Sequence, residues 1–270
     1  MATFTARQMV GSPDIVLSLA MFGRRRELPV SPEQQEWIEK SFRLLTHLFG
    51  DEWLFNAPVV LPNEEFFPRK WEETEDWARY AFDRVCVLMH VQPERVDLVL
   101  VNDVWAELRR TGVPIERPRD VAGTYQEIKV EDGPSRAQIC VKDSLIHEPE
   151  QMVATMAHEL AHVLLLGDNK VSRDVERMEP LTDLMTVFCG FGVLTANAAH
   201  VHRSGHRGWQ VSNLGYLSQG DFGYALAVFA WARGESNPSW AIELTTNVRA
   251  FLRATLSCFK ASKKPIRNSS

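Results

Sequence analysis

Three side chains in this sequence stand at a spacing that chemistry can use: His158, Glu159 and His162, in Ala157-His158-Glu159-Leu160-Ala161-His162. On an α-helix, residues four apart share a face about one turn from each other, so both imidazoles can turn a nitrogen toward a common point. Two such nitrogens are half of a tetrahedral zinc shell. A carboxylate one residue after the first His falls beside the ion rather than on it, where it can take a proton from water that the metal has acidified. The competing reading is an amphipathic helix with two incidental histidines. Against it, the neighbouring residues are almost wholly apolar, among them Met152, Val153, Met156, Leu160, Ala161, Val163, Leu164 and Leu165. Burying two imidazoles and a carboxylate in such company is costly without a partner, and a metal ion is the economical one.

A zinc centre that activates water has three protein ligands and an open fourth position. The third ligand is expected in Glu176-Arg177-Met178-Glu179-Pro180-Leu181-Thr182-Asp183-Leu184, which reads as a helix start, with Pro180 tolerated because first-turn N–H groups have no intrahelical partner. Glu179 and Asp183 are four apart. The first can bind the ion while the second accepts the other ring N–H of a ligating His and so fixes its tautomer. Glu176 is the rival ligand, but the residue four beyond it is Pro180, which offers no carboxylate for that second task.

The pair of segments resembles the gluzincin pattern of zinc metallopeptidases, HExxH…ExxxD, in which a second helix supplies a Glu ligand. The run from Gln138-Ile139-Cys140-Val141 through Ser144 and Pro149 into the His-bearing helix is similar to compact minigluzincin and ImmA/IrrE-type peptidase cores. The likeness covers about 96–199. The metzincin extension is absent, since Leu165 stands where that pattern needs Gly and Asn169 near where it needs a third His.

The resemblance implies zinc as cofactor and a peptide or protein as substrate. It also implies Glu159 as the base that takes the proton of the attacking water and passes it to the leaving amine, with a further donor for the oxyanion. Candidate donors are Tyr216 and Tyr224, with His202 and His206 in the polar stretch 200–208 behind them. The first reading of each Tyr is nonetheless a helix-packing residue, and of each His a solvated loop residue. Ser218 and Asp221 read as a helix cap. Enzymes of this kind hold substrate as an added strand, and the candidate edge is 122–127 with Gly123, Thr124 and Tyr125, where Gly123 permits close approach. An ordinary hairpin strand is the other reading of those residues. The alternatives to a peptidase are a catalytically quiet zinc-binding module that recognises a partner and, more remotely, a hydrolase of non-peptide amides.

The elements that must position these groups follow from periodicity and punctuation. Ser31-Pro32-Glu33-Gln34 launches a helix to about 49, and a second helix spans about 71–91, with an irregular packed connection over 51–69. Short β-rich runs follow at 96–101, 124–130 and 137–141. Helices return at 149–166, with Gly167 as a left-handed stop, and then at about 179–198, 219–233 and 239–259. Helices, then a small mixed sheet, then helices make the chain α+β, not doubly wound. One elaborated domain is expected: an N-terminal helical part at 31–95, a zincin-like core at 96–199, a C-terminal helical part at 200–262 and a loose tail at 263–270.

Composition limits the partners. Hydrophobic residues are 45% of the 270, enough for a core, and 30 Lys+Arg against 35 Asp+Glu leave a net charge of −5, which gives no basic field for a nucleic acid. The longest apolar region, 181–199, is broken by Thr182, Asp183 and Asn197, so no membrane span is expected. The apolar stretch 15–22 precedes Arg24-Arg25-Arg26, the reverse of a secretory signal, and the four scattered cysteines form no CxxC pair, so a cytoplasmic protein with reduced structural thiols is expected.

Overall fold

The computed structural model describes residues 28, 30–102, 122–128, 136–205, 208–213 and 216–262, with the backbone alone at 168, 200–205 and 208–213. Helix α1, Pro32–Phe49, starts as its sequence dictates: Ser31 Oγ accepts the N–H of Gln34, Pro32 fills the first turn, and the left-handed Gly50 (φ 91°) ends it. A short α2, Asp51–Asn56, follows inside the stretch expected to be irregular. Helix α3, Glu75–Leu88, is capped by Thr74 Oγ1 at the N–H of Trp77 and is shorter at both ends than the apolar spacing implied.

Strands β1 (Val96–Val101), β2 (Gly123–Ile128) and β3 (Arg136–Lys142) form a mixed sheet in the order β1-β3-β2. β1 runs parallel to β3, with Val96 beside Ala137, and β2 runs antiparallel, with Tyr125 opposite Ile139 and Gly123 opposite Val141. Since β2 pairs only with β3 among the described residues, it is the edge of that sheet. Residues 129–130, expected to extend this strand, lie outside the described residues.

Helix α4, Pro149–Leu166, lies on the sheet against β2 and β3 and is flanked by α3, α5 (Met178–Phe188) and α6 (Gly192–Ala198). It is buried for most of its length, which explains why its sequence is apolar around nearly its whole circumference rather than along one stripe. Gly167 is not the left-handed residue at its end. With φ −62° and ψ 144° it continues into a 3-10 turn, Gly167–Asn169, and Asn169 takes the positive φ instead. The helix expected over 179–198 is two helices, broken at Gly190 (φ 88°), whose carbonyl accepts the N–H of Val60. A Cβ at Gly190 would collide with the carbonyl of Pro58, so the break is where the chain connecting α2 and α3 passes.

The stretch 200–208, expected as a polar loop, contains a strand, β4 (His200–Gly205), paired antiparallel with β5 (Gly208–Asn213). His202 is on β4 and His206 lies outside the described residues, as do the apolar stretch 15–22 and the tail 263–270. Helix α7, Gln219–Ala232, opens with a full capping box in which Ser218 Oγ accepts the N–H of Asp221 and Asp221 Oδ2 accepts the N–H of Ser218. It packs on α8, Thr246–Ser262, with a tight approach at Gly223, where a Cβ would meet Phe251 Cβ at 2.5 Å. The segment ahead of α8 is a separate 3-10 turn, Ser239–Glu243, so the last helix begins later and runs further than expected. Buried side chains from α1 through α8 and from the three-stranded sheet join in one continuous hydrophobic core. The architecture is α+β, with eight α-helices among the described residues, none of them long and apolar enough to cross a membrane.

Candidate metal centre

His158 and His162 project from one face of α4 with their rings 5.1 Å apart and nearly perpendicular. Helix α5 crosses beside them and brings Glu179, in its first turn, over both. Glu179 Oε2 is 3.2 Å from His158 Nε2 and 3.3 Å from His162 Nε2. Hydrogen bonds between charged partners draw in to about 2.7–2.9 Å, whereas ligand atoms held about 2.0 Å from a tetrahedral zinc stand about 3.3 Å apart. Both separations are longer than such bonds and close to that ligand–ligand spacing. The three donor atoms lie within 4.8 Å of one another, and these are the residues expected to hold the metal. Glu176, the rival, is exposed outside the group.

The far side of each ring is held too. His158 Nδ1 donates to Asp183 Oδ1 at 3.0 Å, so that Nε2 is turned toward Glu179. Asp183 is 2% exposed, and its other oxygen accepts the backbone N–H of Tyr216 at 2.7 Å and of Leu217 at 3.0 Å. His162 is held by a residue that spacing did not single out. Thr182 Oγ1 donates to the carbonyl of Met178 at 3.0 Å, so its lone pair is left to accept His162 Nδ1–H at 3.3 Å. The signal was present in the sequence: Thr182 is three residues after Glu179 and one before Asp183, on the turn of α5 that must face α4.

Burial and charge act in opposite directions here. Burial disfavours a charge on His158, but the hydrogen bonds to Asp183 and Glu179 outweigh it and raise its pKa well above the ordinary histidine range. Burial likewise opposes ionisation of Glu179, and the hydrogen bonds from the two histidines reverse that and hold it ionised far below the usual carboxylate range. Glu159 is only 5% exposed, and burial pushes its carboxyl up despite the nearby His158 and His162. A base with a raised pKa is a better proton acceptor near neutrality. Its carboxylate lies against β2: a Cβ added at Gly123 would stand 2.9 Å from Glu159 Oε1 and 2.7 Å from Thr155 Cγ2.

The expected edge residues thus flank the group. Gly123 packs on Glu159, Thr124 points to the opposite face of the sheet, and the Tyr125 ring is stacked with His162 at 6.3 Å, with the Arg173 guanidinium 5.6 Å from its centre. Tyr216, 46% exposed, lies nearly parallel to the His158 ring at 6.1 Å. Tyr224 is elsewhere. It is 1% exposed in the core, donates its hydroxyl to Glu39 Oε1 at 2.6 Å and packs edge-on against Phe259, so the expectation that it serves as an oxyanion donor is replaced by a packing role. The reason lies in α7, which is apolar around its whole girth and buried with its phenol inside. No family model, curated protein or solved structure matches the chain.

Proposed function

We propose that this protein is a zinc-dependent metallopeptidase of the gluzincin kind, with a zincin-like core formed by the three-stranded sheet, α4 and α5. The observation that carries the reading is the convergence of His158 Nε2, His162 Nε2 and Glu179 Oε2 beside the buried carboxylate of Glu159. These three residues would hold the ion, which when bound supplies Lewis acidity toward an amide carbonyl and lowers the pKa of water. Glu159 accepts the proton of the attacking water and returns it to the leaving nitrogen. Asp183 and Thr182 keep the imidazoles turned inward. An extended peptide lies along the edge of β2 that no described strand covers, paired through its backbone, with Tyr125 on one side of the histidines and Tyr216 on the other. Tyr216 takes the donor role for the developing oxyanion. The four cysteines, none of them in a disulfide, agree with a reducing compartment, and we place the enzyme in the cytoplasm.

The test is a proteome-wide cleavage profile of wild type against Glu159→Gln, with zinc content measured on both. The expected result is about one zinc per chain in each protein and cleavage by wild type alone. Zinc in both without cleavage by either would instead assign a zinc-binding recognition module, and a wild type that takes up no zinc would overturn both readings.

A further inference from the structure

The helix that carries Glu179 begins at an unusual residue. Arg177 precedes α5 with φ 67° and ψ 35°, the left-handed conformation, and supplies no side-chain cap. That conformation is at home in glycine, and a bulky residue persists there only where its surroundings over-determine it. Those surroundings are on α1. Arg177 Nη2 donates to Gln34 Oε1 at 2.7 Å, and its guanidinium carbon stands 3.8 Å from the centre of the Trp37 ring. Gln34 and Trp37 are three residues apart, hence on one face of α1. The first turn of α1 is itself anchored, since Gln34 N–H caps on Ser31 and Gln35 Nε2 donates to the carbonyl of Val30.

The backbone of Arg177 also accepts the first intrahelical bond of α5, from Leu181 N–H at 3.0 Å. Glu179 is two residues on and Asp183 six, so rotation of the chain at 177 displaces both the carboxylate over the histidines and the carboxylate behind His158. Pro180 follows Glu179 directly and can donate no N–H, so the first turn cannot be re-anchored through that residue.

We infer that Arg177 is a positioning residue for the metal: its two-point hold on Gln34 and Trp37 fixes the left-handed start of α5 and thereby sets Glu179 against His158 and His162. Metal affinity is in this way governed by α1, more than a hundred residues away in sequence. The inference rests on the metal-centre reading above.

The test uses the full chain and four proteins: wild type, Arg177→Gly, Trp37→Leu and Glu179→Ala. Zinc affinity is measured by competition with a chromophoric chelator, and the visible spectrum of the cobalt(II)-loaded protein reports the ligand field. Glycine adopts the left-handed conformation freely, so Arg177→Gly relieves strain and removes only the clamp. The expected result is metal-free melting of Arg177→Gly close to that of wild type, because the relieved strain offsets most of the lost contacts, with zinc binding at least tenfold weaker and a cobalt spectrum shifted toward that of Glu179→Ala. Trp37→Leu shifts affinity and spectrum in the same direction and decides between the outcomes should the Gly variant not fold. Wild-type affinity and spectrum in both clamp variants, with zinc lost in Glu179→Ala, would overturn the clamp and leave the metal centre standing. Full zinc affinity in Glu179→Ala would overturn the ligand assignment itself, and the inference with it.

Discussion

Asp183 takes the backbone N–H of Tyr216 at 2.7 Å on the oxygen that does not face His158. One buried carboxylate therefore joins the His158 imidazole to the turn that leads into α7, and orders both with the same charge. Asp183→Ala removes both links. Zinc affinity is expected to fall about 10–100-fold, the usual cost of losing such a partner, and the amides of Tyr216 and Leu217 are expected to exchange with solvent much faster. Thr182→Val, which removes the acceptor for His162 Nδ1–H together with the bond to the Met178 carbonyl, is expected to weaken zinc binding without altering those amides. Competition titration together with hydrogen exchange separates the two. Equal amide protection in wild type and Asp183→Ala would show that the turn is held by something else.

Gly123 is where the sheet edge and the proposed base meet. A Cβ there would stand 2.7 Å from Thr155 Cγ2 and 2.9 Å from Glu159 Oε1, so Gly123→Ala forces β2 away from α4. Overpacking of this kind costs about 1–3 kcal/mol. Because the nearest atoms to that Cβ belong to Thr155 and Glu159 and not to the proposed metal donors, zinc content is expected to hold while peptide turnover falls tenfold or more, since displacement of a strand or base by a fraction of an ångström is expensive in catalysis. Turnover equal to wild type, with zinc retained, would mean that β2 does not set the position of Glu159 or of substrate.

How much of this was legible depends on the range of the interaction. His158, Glu159 and His162 needed only helical periodicity, and Glu179 with Asp183 needed it once more on a second helix; the structure brings all five together. The capping box at Ser218 and Asp221 and the sheet edge at Gly123 were likewise local signals. What local pattern could not supply was anything fixed by a distant chain. The break at Gly190 exists because Pro58 passes there, the role of Tyr224 depends on Glu39, 185 residues earlier, and the start of α5 depends on Trp37. Each of these residues has a sequence neighbourhood that fits a plain helix equally well, and only packing distinguishes the two.

The Glu39–Tyr224 pair makes a separate prediction about pH. Glu39 is 8% exposed on α1, and burial raises its pKa above the ordinary 4.5 more than the hydrogen bond from Tyr224 and the charge of Arg43 lower it. A folded state that holds this proton more tightly than the unfolded chain gains stability below the unfolded value and loses it as pH rises through the folded one. Near neutrality the ionised Glu39 is therefore a net cost that Tyr224 partly offsets. Glu39→Gln keeps an acceptor for the phenol without the charge, so its melting temperature relative to wild type is expected to be lowest near pH 4 and to climb as pH approaches 7. Tyr224→Phe leaves the carboxylate without that donor and is expected to lose about 1–3 kcal/mol, with the loss larger at pH 7 than at pH 4. Denaturation of the three proteins across that range checks both trends, and differences that stay constant with pH would show that Glu39 does not titrate between the folded and unfolded values.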